Sequence, residues 1–154
     1  MKSISDLVRE MNQCEQEIAK LDSQMPRILG AKAVKVTREN FETESYNGVK
    51  WQPRKAKTNR AYDRRGTYKG SVYNSANPLL RQTGNLFNSI KYVVTGSTID
   101  VGVNLSQVPY AVAHNEGKNH QPKRQFIGYS LKLDIQLRDE IEKRHAKIFN
   151  QFKK

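Results

Sequence analysis

The sequence predicts an α+β fold: a long N-terminal helix kinked near Pro26 and a C-terminal helix, packed on a small antiparallel sheet, with a long basic arm. Three observations carry that prediction. Apolar residues step by three or four from Ile4 to Met25 and again from Leu137 to Phe152, the spacing of one helix face. Two runs, Tyr92–Val94 and Ile99–Val103, alternate about Gly96-Ser97, the pattern of a two-residue hairpin. Between the first helix and the hairpin, residues 47–81 hold nine basic residues and one acidic, a net of +8 out of +12 for the chain.

The first helix is expected over residues 3–25. Ser3 with Asp6 has the form of a capping box. Ile4, Leu7, Val8, Met11, Cys14, Ile18, Leu21 and Met25 make one stripe, expected as core or as a seam against another helix, with Cys14 a buried thiol. Pro26 is expected to kink or restart the helix, and a less periodic second piece runs over about 27–45, weakened by Gly30. Asn47-Gly48 is a turn. From there to Ser75 no helix or strand pattern is legible. Trp51, Tyr62, Tyr68 and Tyr73 are interleaved with Lys50, Arg54, Lys55, Lys57, Arg60, Arg64, Arg65 and Lys69. Aromatics among cations suit an arm ordered by nucleic-acid phosphate or by a neighbouring subunit.

Asn77–Ile90 is where the arm gives way to the core. Pro78 sets a rigid entry, Thr83 is placed to cap a short helix with Gly84 in its first turn, and Leu86, Phe87 and Ile90 share one face. Beyond the hairpin, Pro109 starts a short helical turn over Tyr110–Asn115 that Gly117 ends. In the last segment two periods compete. Leu131, Leu133, Ile135 and Leu137 alternate, whereas Leu137, Ile141, His145, Ile148 and Phe152 step helically; a helix over about 130–152 with Ser130 as cap is expected. The whole is read as a single domain, 1–154: N-terminal helices over 1–46, basic extended arm over 47–78, sheet core with short helices over 79–129, and C-terminal helix over 130–154.

Composition narrows the function. The chain has 154 residues, 36% hydrophobic, and a mean hydropathy of −0.79, so a small core with much polar or partner-facing surface is expected. No run of about 18 apolar residues could span a membrane. The start lacks the apolar centre of a secretory signal. One cysteine allows no internal disulfide, which fits a reducing compartment. His114, Glu116 and His120 are the one tempting catalytic or metal cluster. The two histidines are six apart and Gly117 intervenes, so they do not share a helix face, and His114 is expected as a hydrogen-bonded packing residue. No phosphate loop, dinucleotide fingerprint or nucleophile signature is present. Neither cofactor nor metal is expected, and the chemistry reads as contact without turnover.

Six short motifs follow one another: Arg38-x-Asn40-Phe41, Gly48-x-x-Trp51-x-Pro53, Leu79-Leu80-x-x-Thr83-Gly84-x-Leu86-x-x-Ser89-Ile90, a hairpin ending Val101-Gly102, Tyr110-Ala111-x-x-His114-x-x-Gly117, and Pro122-x-Arg124-x-Phe126-x-Gly128. In this order they resemble the virion morphogenesis (tail completion, Mu protein G-like) family of tailed bacteriophages over roughly residues 36–130. The resemblance implies a structural protein of the head–tail neck, without catalytic residues. It would assemble as a ring, commonly six-fold, between the head connector or portal adaptor and the tail terminator or tube, with genomic DNA held non-specifically in the lumen and no membrane. It would reside in the virion after assembly in the host cytoplasm. Phe41, Trp51, Leu80, Gly84, Leu86, Ile90, Tyr110, His114, Gly117, Pro122, Arg124 and Phe126 would then be packing and turn positions. Without the resemblance, the basic arm alone would also fit a nucleic-acid-binding accessory module. Such a module has no need of LLRQTGNLFNSI or YAVAHNEG.

Overall fold

In the computed structural model, which describes residues 3–53 and 78–153, the chain runs α1 (Ile4–Thr43), β1 (Ser45–Tyr46), β2 (Val49–Lys50), α2 (Asn85–Ser89), β3 (Ile90–Thr95), β4 (Thr98–Val103), α3 (Ala111–Glu116) and α4 (Leu131–Phe152). Long helices at both ends and two small sheets, β1–β2 and β3–β4, make it α+β. Most of the proposed basic arm, 54–77, lies outside the described residues.

Two compact units are present. One comprises Met1–Val36, Lys91–Gly102 and Tyr129–Lys154; the other comprises Thr37–Ile90 and Val103–Gly128. In the first unit, α1 starts at a reciprocal cap. The Asp6 amide donates to Ser3 Oγ (3.1 Å), and the Ser3 amide donates to Asp6 Oδ2 (3.3 Å). The helix then continues for 40 residues with Pro26 inside it, so the expected restart at Pro26 does not occur. Proline removes one helical hydrogen bond, a cost of about 3 kcal/mol in a helix interior. Burial of Met25, Ala33 and Val36 on the same helix offsets part of that cost.

Helix α4 begins as expected. Ser130 is extended and its hydroxyl accepts from the Leu133 amide. The helical period wins over the strand period at 131–137. Two contacts set α4 antiparallel to α1: Lys32 Nζ to Glu140 Oε2 at 3.5 Å, and His145 Nε2 to Asp22 Oδ1 at 3.0 Å. A hydrogen bond from Arg144 holds the Glu140 carboxyl below the usual carboxylate range, with Lys32 adding to the effect. The expected α1 stripe divides. Met25 is buried and Ile18 and Leu21 are half-buried, but Ile4, Leu7, Val8 and Met11 are 51–85% exposed, and Cys14 is half-buried where a buried thiol was expected.

The β3–β4 hairpin turns at Gly96, φ 60°, within the predicted Gly96-Ser97 loop. Tyr92 of β3 lies over Gly30 of α1. A Cβ at Gly30 would stand 2.7 Å from Tyr92 Cγ and Cε2. Gly30 therefore marks a close helix–strand approach, which the sequence showed only as a helix weakness.

In the second unit, α1 ends at Thr43, two residues earlier than expected, because Glu44 turns left-handed (φ 49°). Asn47 (φ 49°) and Gly48 (φ 82°) then make the turn of a short hairpin, Ser45 opposite Lys50 and Tyr46 opposite Val49. This strand pair corrects the expectation that no strand follows Asn47. At α2 the cap is Gly84, left-handed at φ 74°, and Thr83 Oγ1 only accepts from the Asn85 amide at 3.4 Å. At α3 the prediction holds: Gly117 (φ 76°) ends the helix, and the amides of Gly117 and Lys118 both donate to the Ala113 carbonyl.

Replacing Gly30 with alanine sets a gain of about 1 kcal/mol in helix propensity against overpacking worth about 1–3 kcal/mol. We expect net destabilisation in thermal melts. In a Tyr92→Ala background the same change should become stabilising.

Candidate functional site

The family-like residues converge on one cluster in the second unit. Phe41, fully buried, stands at its centre, with ring centroids 5.4 Å from Trp51, 5.7 Å from Phe87 and 5.2 Å from Phe126. The first two contacts are edge-to-face, the favoured arrangement of aromatic quadrupoles, worth about 0.5–1.5 kcal/mol each beyond burial. Leu86, Ile90, Val108 and Phe126 are 1% exposed beside it, each contributing about 1.5–3 kcal/mol of apolar burial. Leu79 is buried in the same unit, while Leu80 is half-buried in a left-handed conformation (φ 58°).

Backbone polar groups around the rings are tied by side chains from distant parts of the chain. Trp51 Nε1 donates to the Gln125 carbonyl (2.7 Å), and Asn40 Nδ2 donates to the Phe126 carbonyl (3.1 Å). Asn115 Oδ1 accepts from the amides of Phe126 and Ile127. Arg124, 6% exposed, donates through Nε to the Gln52 carbonyl (2.9 Å), and its amide donates to the His114 carbonyl (2.7 Å). The loop from Pro122 to Gly128 is thus stitched to α3, to Asn40 of α1 and to the Trp51 strand exit. Gly117 is also required sterically there, since a Cβ would meet the Lys123 backbone at 3.2 Å.

Glu44 closes the base of the 54–77 segment. Its carbonyl accepts from the Trp51 amide (2.7 Å) and its carboxylate from the Leu79 amide (2.6 Å). One residue therefore holds both chain ends that border the segment. Lys50, the one described residue of the predicted arm set, is exposed and donates to the Thr43 carbonyl (2.7 Å). Arg54, Lys55, Lys57, Arg60, Arg64, Arg65 and Lys69 lie outside the described residues. At the exit, the guanidinium carbons of Arg38 and Arg81 lie 5.2 and 4.5 Å from the Phe87 ring centroid. These are cation–π contacts that lend the aromatic cluster a basic rim.

The remaining predicted residues line the rim. Tyr110 is 43% exposed, its ring 6.1 Å from that of His114, and Pro122 is half-buried. His114 differs from expectation: its backbone is fully used, but the buried Nδ1 has no hydrogen-bond partner. Burial first, and the nearby Arg124 charge second, push its pKa below the ordinary imidazole value. An open depression of about 310 Å³ lies there, lined by Pro109, Tyr110, Ala113, His114 and Lys118 among others. Among the described residues no three His, Cys, Asp or Glu side chains gather to hold a metal ion, and no helix is long and apolar enough to cross a membrane.

The sequence profile of the phage virion morphogenesis family matches residues 3–147. The chain belongs to that family. No curated protein and no solved structure matches it. For a virion morphogenesis protein, the matched span includes the aromatic cluster, the Glu44 clasp, all of α1 and most of α4. Sequence reasoning missed Glu44, Asn115 and Gln125, since polar residues that serve single backbone groups carry no periodic signal.

Two outcomes follow. Trp51→Phe keeps an aromatic ring but removes the indole donor to the Gln125 carbonyl and leaves a cavity, so stability should fall by at least about 1–2 kcal/mol in urea unfolding. A histidine pKa lowered on folding makes the unfolded chain bind more protons, so stability falls as pH drops from the unfolded value, about 6.5, through the lower folded one. His114→Gln should therefore flatten the loss of stability between about pH 7.5 and 5 relative to wild type, measured by denaturant midpoints.

Proposed function

We propose that this phage structural protein completes the head–tail neck or tail end, forming a ring of copies of itself between the connector and the tail with a lumen that accommodates DNA. The family match over residues 3–147 carries the reading. The charge distribution supports it. A net of +8 within residues 47–81 suits close approach to passing phosphate, and such attraction is insensitive to sequence and weakens with salt. The clasp at Glu44 supports it as well, since it fixes both borders of the basic segment to a packed cluster from which a segment could reach a neighbour. The work is binding and assembly, without catalysis. A six-fold ring, the neighbouring portal-adaptor and tail-terminator or tube proteins, and a place in the mature virion belong to the same proposal.

Phage carrying a nonsense mutation in this gene should accumulate separate filled heads and tails by electron microscopy, and normal joined particles would overturn the neck assignment. Arg64→Ala with Arg65→Ala should lower infectious yield or DNA retention while the purified protein keeps its circular dichroism and melting curve. Unfolding of the double variant would show the segment to be core.

A further inference from the structure

The apolar stripe of α1 is more regular than a core face needs. Ile4, Leu7, Met11, Cys14, Ile18, Leu21 and Met25 alternate steps of three and four without a break, the a and d positions of successive heptads. The flanking e positions are Val8, Glu15 and Asp22, and the g positions are Glu10, Glu17 and Gln24. No basic residue occupies any of them.

Only part of this seam is filled by the chain's own α4. Asp22 meets His145, Lys32 meets Glu140, and the two helices run antiparallel. At 1.5 Å per residue in both helices, the two contacts set Phe152, the last residue of α4, level with about residues 15 to 20 of α1. Exposure follows the same boundary. Ile18 and Leu21 are half-buried and Met25 is 8% exposed, whereas Ile4 is 85%, Leu7 51% and Met11 65% exposed. The first turns of α1 therefore run past the end of α4 with the same heptad pattern and an open apolar face.

We infer that this overhang with its acidic flanks, Ile4–Glu17, is a docking seam for an amphipathic helix of a partner protein that carries apolar residues at a and d and Lys or Arg at e and g. Charge decides the occupant. Another copy of the same helix would place the Glu10, Glu15 and Glu17 flanks against their equivalents, which like-charge repulsion disfavours. In the filled part of the seam, Asp22, at an e position, is hydrogen-bonded to the His145 imidazole of α4, and Lys32 pairs with Glu140. This inference stands apart from the neck assignment, because it concerns binding by the purified chain.

The test uses the full chain and three labelled synthetic peptides of about three heptads each. One has Leu and Ile at a and d with Lys at e and g, one has Glu at e and g, and one is a scrambled Lys peptide of the first composition. Fluorescence anisotropy at low salt should show the Lys heptad peptide bound at least about tenfold tighter than either other peptide, a difference readable in Kd. The overall charge of +12 repels a cationic peptide, so such binding must come from a local acidic seam. Met11→Asp should weaken binding by about tenfold or more without changing the melting curve, since Met11 is exposed. Glu10→Lys with Glu17→Lys should reverse the preference toward the Glu peptide. Equal binding of the scrambled peptide, or charge reversal without a change of preference, overturns the inference. Sedimentation of the unmodified chain as an oligomer that Met11→Asp dissociates would also overturn it, by making a second copy the occupant.

Discussion

The burial of Phe41 is the constraint on which the second unit depends. The ring has no exposed surface, and the three aromatic rings around it come from segments far apart in the chain. Trp51 lies just before the basic segment, Phe87 just after it, and Phe126 in the loop beyond α3. An aromatic core assembled in this way closes several long loops at once. Each closure has an entropic cost that grows only slowly with loop length. The enclosed residues 54–77 can therefore be long and highly charged at little further cost, provided the borders stay fixed. Glu44 supplies that fixing with one carbonyl and one carboxylate oxygen, each accepting from a backbone amide that would otherwise be left unpaired near the core.

The parts of this architecture legible in the sequence are those with a period or a special backbone residue. Asn47-Gly48, Gly96-Ser97, Gly117 and Ser130 mark their turns and caps because only some residues satisfy those dihedrals or donors cheaply. The helical steps from Leu137 to Phe152 outweigh four alternating leucines and isoleucines because they form the longer run, and the helix started at the Ser130 cap absorbs residues 131–137. At Pro26 the alternative of a restart fails, because local propensity favours a break while the surrounding helix remains long and partly buried. Thr83 misled for a different reason. A glycine able to turn left-handed sat one residue later and took the cap position.

The candidate site was legible as a list and illegible as an arrangement. Phe41, Trp51, Leu86, Ile90, Arg124 and Phe126 stand in the motif order, and all six are buried in the same unit. That Arg124 serves the Gln52 carbonyl, and that Asn115 holds two amides of the Phe126 loop, depends on loop geometry that no sequence period encodes. His114 shows the limit most plainly. Its position in a helix flanked by Tyr110 and Gly117 was readable, but its unpartnered, buried Nδ1 could not be inferred from neighbours along the chain.

Apolar surface is distributed in a way that fits a component of a larger assembly. The chain is poor in hydrophobic residues, with a mean hydropathy of −0.79. Even so, Ile4, Leu7, Val8 and Met11 line one exposed face of α1, and Leu131 and Ile135 are exposed one turn apart on α4. Scattered single exposures need no account, but a face repeating over successive turns does. At the covered end of the α1 stripe Met25 is buried, and polar contacts from α4 run beside it, Lys32 to Glu140 and Asp22 to His145. The basic residues of 47–81 and the acid-flanked heptads of α1 lie in different parts of the sequence, so the two proposed partners, a phosphate backbone and a basic helix, call on different residues.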